Sequence, residues 1–263
     1  MKKGQESDRS QKLKDRIRLF VVAWSIGVLG GLLLWLLRIT ARVKVEGYNR
    51  RKLDPKDKGL ILIHNHPSLW EPALLPFLFF PWYLFSLRFV PLSIPDKRNY
   101  HDKWWFSLFR AVCIPMERGN PKGEARALRR MREKLLEGRV LILAPEGGRT
   151  FKGDEFKVIR GGRIDVVGSL PETDLGKDKA LRRFKPGVGW LVFNTKAAIL
   201  PVWTEGGEEV IPNKFSFKLP FPCFWRQALL KIGQPLDLGE LPKKEITEFL
   251  EDSMLKVGTE GQF

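Results

Sequence analysis

A chain of 263 residues and 30.4 kDa has room for one domain of a little over 200 residues plus an N-terminal appendage, and a hydrophobic share of 43% fills one core. Its 2 cysteines, Cys113 and Cys223, exclude a disulfide framework and fall in no metal-ligand cluster, which fits a reducing compartment. The net charge of +16 asks for an anionic partner. No zinc finger or RNA-binding signature accompanies it, so nucleic acid yields to an anionic lipid surface, a phosphorylated substrate or an acidic carrier protein.

From the N-terminus, Phe20 to Leu37 runs for 18 residues without a charge, between Arg16 and Arg18 on one side and Arg38, Arg42 and Lys44 on the other. A helix of that length spans about 27 Å, just short of a hydrocarbon core. The run is too long for a signal peptide and lacks a small-x-small cleavage site. Gly27, Gly30 and Gly31 admit a close helix partner or a bend, and basic residues on both flanks set no orientation. Residues 1–42 therefore read as a basic N-terminus and membrane anchor, spanning or half-inserted, and 43–263 as the functional domain.

Val43 to Gly47 predicts a short strand and Gly59 to Ile63 a buried one. The second runs into His64-Asn65-His66-Pro67-Ser68-Leu69-Trp70-Glu71. A neutral imidazole takes a proton from an alcohol near pH 7, and a carboxylate on its other nitrogen fixes the tautomer. Five residues along a regular helix turn about 500°, which leaves two side chains roughly 140° apart. His66 and Glu71 therefore meet only if His66 caps the helix and Pro67 takes its first position.

Ala73 to Pro95 carries one charge, Arg88, and Pro76, Pro81 and Pro91 exclude an uninterrupted spanning helix. Its aromatics, among them Phe77, Phe80, Trp82 and Tyr83, suit a membrane interface, the wall of an apolar tunnel or an ordinary core. Ala111 to Pro115 predicts a strand that leads into Met116-Glu117-Arg118-Gly119. Asn120 then offers an N-cap, Pro121 fills the first helical position, and Ala125, Leu128, Met131, Leu135 and Leu136 recur at helical spacing. Lys122, Arg126, Arg129, Arg130, Arg132 and Lys134 crowd the same helix, which Gly138 stops.

Val140 to Ala144 forms the next strand, giving a strand-helix-strand unit that favours parallel pairing with a right-handed crossover. Pro145-Glu146-Gly147-Gly148-Arg149-Thr150 follows it. The polar, Gly-rich stretch from Phe151 to Arg183 reads as a solvated loop in preference to a lid or a carrier-protein contact. Ala197 to Trp203 and Ala228 to Ile232 predict two more strands. Glu245 to Val257 predicts an amphipathic helix with Ile246, Phe249, Leu250 and Leu255 inward.

These elements predict an α/β fold: a single domain with a mixed, partly parallel sheet flanked by helices, plus the N-terminal hydrophobic helix. His66, Arg118, Glu146 and Arg149 each follow the carboxyl end of a predicted strand, the edge where open α/β sheets bind ligands. A base, two guanidinium groups and a Gly-Gly loop with free backbone donors then face one crevice, where Arg118 and Arg149 can grip a phosphate.

Taken in order, these blocks resemble the glycerolipid acyltransferase family, the group containing bacterial 1-acyl-glycerol-3-phosphate acyltransferase. Asn65-His66-Pro67-Ser68-Leu69-Trp70-Glu71 is similar to its Asn-His-x4-Asp block, with Glu71 where Asp is usual. Val112 to Arg118 matches the second block, and Ala144-Pro145-Glu146-Gly147-Gly148-Arg149-Thr150 the third, typically Phe-Pro-Glu-Gly-Thr-Arg-Ser. Phe184-Lys185-Pro186-Gly187 resembles the Phe-Lys-x-Gly element, and Ile199-Leu200-Pro201-Val202 the fourth block; the match spans about residues 43 to 235.

The resemblance implies that His66 is the general base that deprotonates a glycerol hydroxyl, with Glu71 orienting it. It implies that Arg118 and Arg149 bind the acceptor's phosphate and that Glu146, Gly147 and Gly148 shape the acceptor site. Lys97, Lys103 and Lys185 are further candidates for the phosphate. The implied acceptor is a lysophospholipid, first 1-acyl-glycerol-3-phosphate, then glycerol 3-phosphate or another lysolipid. The donor is acyl-CoA or acyl carrier protein, a co-substrate, so no cofactor and no metal are expected. The expected place is an anionic membrane surface at its cytoplasmic face.

Three other readings compete. A metal-dependent hydrolase could use His64 and His66, which share a strand face, but Asp-rich partners at ligand spacing are missing. A serine hydrolase lacks its Gly-x-Ser-x-Gly elbow. A non-enzymatic basic adaptor at a membrane surface rests on Glu replacing Asp at position 71.

Overall fold

The computed structural model describes residues 13–14, 16–55, 58–68, 70–150, 154–160, 162–168, 179–207, 226–238 and 240–260. In chain order the strands are β1 (Val43–Glu46), β2 (Leu60–His64), β3 (Leu92–Ser93), β4 (Val140–Leu143), β5 (Phe156–Arg160), β6 (Arg163–Val167), β7 (Lys179–Arg182), β8 (Ala198–Glu205) and β9 (Ala228–Ile232). Six of them form the main sheet in the order β1-β9-β8-β2-β4-β3. β8, β2, β4 and β3 run parallel, β1 runs parallel to β9, and the β8–β9 pair is antiparallel. The expected mixed, partly parallel sheet is therefore what forms.

Central strand β2 is buried on both faces, as its unbroken Leu60-Ile61-Leu62-Ile63 run demands. Leu60 and Leu62 join Val140, Ile142, Leu200 and Val202 in one apolar layer. Ile61 and Ile63 join Leu141 and Ile199 in the other. The strand period of two thus sorts a single run into two cores.

The helices are α1 (Arg16–Ile39), α2 (Glu71–Leu74), α3 (Trp82–Phe85), α4 (Pro121–Leu136), α5 (Gly187–Thr195) and α6 (Lys243–Glu260). Helix α4 begins as its sequence dictates, with the Asn120 side chain accepting from the Gly123 N–H and Pro121 in the first turn. It ends at Gly138, whose φ of +72° suits a residue without a Cβ. Its buried stripe is Gly123, Ala127, Met131 and Leu135, the last three packed in the second apolar layer, while Ala125 and Leu136 face outward.

Helix α1 contains a π-helical turn at Ala23–Gly27 and covers the first apolar layer. Its glycines lie against the aromatic stretch that follows α2. A Cβ on Gly30 would sit 2.0 Å from Phe77, one on Gly31 2.3 Å from Phe80, and one on Gly27 2.7 Å from the Tyr83 ring. The Tyr83 hydroxyl donates to the Gly27 carbonyl at 2.5 Å. The glycines thus admit a close partner, and that partner is another segment of the same chain.

Two sequence expectations fail. Ala111 to Pro115 is not a regular strand: a 3-10 segment, Trp104–Val112, occupies its first half. Only isolated parallel bridges, Ser93 to Cys113 and Asp96 to Met116, extend the sheet edge beyond β3. Pro115 offers no N–H to a ladder there. The stretch 151–183 is not a solvated loop either. Its described residues form an antiparallel sheet, β6-β5-β7, with Phe156, Val158 and Ala180 as a small core. Lys157, 3% exposed, crosses to α6 and meets Glu248, Glu251 and Asp252 at 3.3, 3.2 and 2.7 Å. Residues 151–153, 161 and 169–178 of that stretch lie outside the described residues, as does Cys223. Cys113 is a free thiol whose burial pushes its pKa up to about 12, far from a nucleophile's range.

Candidate active site

Since β2, β4, β3 and β8 are parallel, the segments leaving their carboxyl ends share one edge of the sheet. Asn65, just past β2, is locked to β8: its amide donates to the Thr204 carbonyl at 2.9 Å and accepts from the Thr204 N–H at 2.7 Å and hydroxyl at 3.0 Å. That clamp fixes where residue 66 leaves the sheet.

His66 Nδ1 lies 3.1 Å from Glu71 Oε2. The contact arises otherwise than by helix capping at His66. Helix α2 starts at Glu71 itself, with Trp70 as N-cap and Pro72 in the first turn, so Pro67 and Ser68 lie in a bend. The bend is held by Glu71, whose Oε2 accepts from the Ser68 N–H at 3.3 Å and whose Oε1 accepts from the Ser68 hydroxyl at 2.5 Å. Ser68-x-x-Glu71 is a capping-box spacing, and the carboxylate reaching back to the Ser68 N–H is half of that box. Ser68 is a positioning residue that sequence reasoning passed over although its spacing was visible.

Glu71 is fully buried, and beside it Gly207 leaves room: a Cβ there would sit 2.0 Å from Trp70 Nε1 and 2.8 Å from Glu71 Oε1. The His66 side chain keeps 15% of its surface open. With Nδ1–H donated to the carboxylate, the Nε2 lone pair is the one left for a substrate.

His64 has a different character. Burial, with His66 nearby, drops its imidazole to about 3, and its Nδ1 sits 2.6 Å from the Asn65 carbonyl. It is neutral at physiological pH. The two imidazole rings lie edge to face, 5.9 Å between centroids. Among the described residues no group of three or more His, Cys, Asp or Glu is arranged to hold a metal.

The loop after β4 supplies the second wall. Glu146 is fully buried and ties three segments together. Its Oε1 accepts from the His66 N–H at 2.8 Å and the Thr150 hydroxyl at 3.0 Å, and its Oε2 accepts from the Arg182 N–H at 3.2 Å. Burial outweighs these donors and pushes the Glu146 carboxyl up to about 8. The Thr150 N–H donates to the His66 carbonyl at 2.9 Å, which closes the tie between the two loops. Gly147 adopts φ +72°, and its N–H donates to the Ala144 carbonyl at 3.2 Å, so that donor is not free as the sequence suggested. Lys185 donates its N–H to the Pro145 carbonyl at 2.8 Å and lays its side chain over Gly147.

Arg149 follows β4, the immediate neighbour of β2. Arg118 is farther off. It follows the edge bridges, three strand spacings from β2, roughly 14 Å. Its guanidinium is 45% exposed and lies 3.9 Å from Asp96. Lys97 is engaged by the Glu117 carboxylate. The structure thus gathers His66, Glu71, Glu146, Gly147, Gly148, Arg149 and Lys185, leaves Arg118 on the same edge but apart, and adds Ser68, Thr150 and Arg182.

A family model described as Acyltransferase matches residues 42–205, the span that contains every one of these groups. The chain belongs to the acyltransferase family. Among solved structures, the 1-acyl-sn-glycerophosphate (LPA) acyltransferase PlsC from Thermotoga maritima is similar to this chain, with 23% identity and a TM-score of 0.58 over 90% of this chain and 78% of that one. That likeness shows a shared fold. Comparison with the curated proteins finds no match. An acyltransferase needs a base for its acceptor, and the position of His66, with one nitrogen on a buried carboxylate and an open ring edge, suits that need.

Proposed function

We propose that this acyltransferase moves a fatty acyl group from a thioester, acyl-CoA or acyl carrier protein, to the free hydroxyl of a lysophospholipid, first of all 1-acyl-glycerol-3-phosphate. His66 Nε2 takes the hydroxyl proton as the acceptor oxygen attacks the thioester carbonyl. The new C–O bond forms, the C–S bond breaks, and the imidazolium returns its proton to the departing thiolate. Glu71 holds the Nδ1 proton and steadies the charge that develops on the ring. Arg149 and Lys185 bind the acceptor's phosphate, and Glu146, Gly147 and Gly148 shape its seat.

The observation that carries the reading is the 3.1 Å contact between His66 and Glu71 at the ligand-binding edge of the sheet. It also disfavours the adaptor reading: Glu in place of Asp still meets the imidazole, through the bend at Ser68. Membrane attachment fits the substrate. The outer face of α1 leaves Phe20, Trp24, Leu29, Leu32, Leu33, Trp35 and Leu36 exposed, while its glycine face packs on the domain. A helix fastened along its length to the domain suits burial in one leaflet better than a full crossing, with the net charge of +16 drawing the protein to anionic lipid.

An acyl-transfer assay over lysophosphatidate, glycerol 3-phosphate, lysophosphatidylcholine and monoacylglycerol, each with acyl-CoA and acyl carrier protein, tests the substrate class. Highest kcat/KM on lysophosphatidate is expected. A preference for an acceptor without a phosphomonoester would overturn that choice, and no transfer with any pair would overturn the enzyme reading.

A further inference from the structure

Arg182 ends β7, the strand that delivers the inserted sheet back to the site. Its main chain is fixed there by the same carboxyl that holds the His66 N–H, at 3.2 Å from Glu146 Oε2. From this anchor its side chain folds over the loop after β4: a Cβ at Gly148 would lie 2.8 Å from a terminal guanidinium nitrogen. The missing side chain at 148 is the room that the guanidinium occupies. Arg182 makes no ion pair among the described residues. The buried Glu146 carboxyl feels this cation, yet burial still pushes it up to about 8. Arg149 precedes Thr150 on the same loop, and Lys185 covers Gly147 next to it.

We propose that Arg182 is an acceptor-binding residue, its guanidinium lying over Gly148 to grip the acceptor's phosphomonoester together with Arg149 and Lys185. The inference rests on the reading that the acceptor carries a phosphate. A guanidinium offers two parallel N–H donors to a phosphate, a geometry that one lysine cannot supply. The inserted sheet thereby contributes to substrate choice, since it is β7 that brings Arg182 to the rim.

Two variants test this. Arg182→Ala is expected to raise KM for lysophosphatidate by about 10- to 100-fold, with a smaller fall in kcat and little effect on monoacylglycerol as acceptor. Gly148→Thr introduces a Cβ where the guanidinium lies, at a position with ordinary backbone angles, and is expected to raise the same KM. Combined, the two should be no worse than the poorer single variant, because both remove one interaction. Independent multiplication of the effects would overturn the role of Gly148, and an unchanged KM in Arg182→Ala would overturn the proposal while lysophosphatidate turnover by the wild type stands.

A readout apart from turnover separates the two failures. At constant ionic strength, inorganic phosphate should raise the wild-type Tm and leave that of Arg182→Ala nearly unmoved. Equal phosphate stabilisation in both proteins would sink the proposal whatever the acceptor proves to be.

Discussion

Glu71 is one methylene longer than the aspartate its family block usually carries, and the bend at Ser68 is built around that length. Shortening it in Glu71→Asp withdraws the carboxylate by about 1.5 Å from the 3.1 Å contact with His66. We expect kcat to fall roughly 10-fold with KM little changed. Equal rates would show that the reach of the carboxylate does not matter. Glu146 has a different signature. Its folded value of about 8 lies above the ordinary 4.5, so the folded protein binds the extra proton, and the stability this confers is complete below 4.5 and lost as pH rises through about 8. His64 has the opposite sign: its folded value of about 3 lies below 6.5, so its contribution is full above 6.5 and lost as pH falls toward 3. Between pH 6.5 and 8, then, Glu146 acts alone of the two. Wild-type Tm should decline there and that of Glu146→Gln should not; parallel declines would contradict a buried, protonated Glu146. His66, Glu146 and Arg149 were legible because each ends a strand signal. Arg182 was not, since its relevance depends on an empty Cβ position in a loop 34 residues earlier.

At the scale of elements, the inserted sheet and α6 hold each other through buried charge. Lys157 meets three carboxylates, and Glu251 also accepts from Arg183 at 3.2 Å and from the Phe184 N–H at 2.7 Å. Lys157→Ala takes one of two cations from Glu251, which is 1% exposed and keeps only Arg183 and the Phe184 N–H, and should cost about 2 kcal/mol in urea unfolding, the other two carboxylates being open to water. An unmoved midpoint would mean that apolar packing alone docks the sheet. Part of this sheet was readable: Phe156 to Arg160 and Arg163 to Val167 flank the pair Gly161-Gly162, a two-residue hairpin spacing, and they pair Arg160 with Arg163. The signal was masked because β6 is exposed along most of its length and carries Arg163 and Asp165, so no apolar alternation stands out. The parallel strands and α4 were legible for the opposite reason, their apolar runs and caps being strong. The 3-10 segment at Trp104–Val112 was not, because a short apolar run before a proline suits either conformation.

For the whole molecule, two surfaces face outward with apolar groups: the free side of α1 and the 3-10 segment, where Trp104 is 84% exposed and Trp105 and Leu108 about half so. Both elements pack on the same apolar layer, α1 through Leu19, Ala23 and Leu34 and the segment through Ala111 and Val112, which puts them on one side of the sheet. Vesicles rich in anionic lipid should therefore sediment the protein, less so at high salt, and neutral vesicles should do so more weakly. Equal binding to both would remove electrostatics from the attachment. The apolar run of α1 was plain in the sequence, whereas its packing on Phe77, Phe80 and Tyr83 depends on a tertiary contact no local pattern encodes. The central claim is that the His66 imidazole removes the acceptor's proton, and the steady-state rate of His66→Ala with acyl-CoA and lysophosphatidate tests it most directly. The account predicts a kcat lower by about 1,000-fold or more with the fold and vesicle binding retained; a rate within a few-fold of wild type would contradict it.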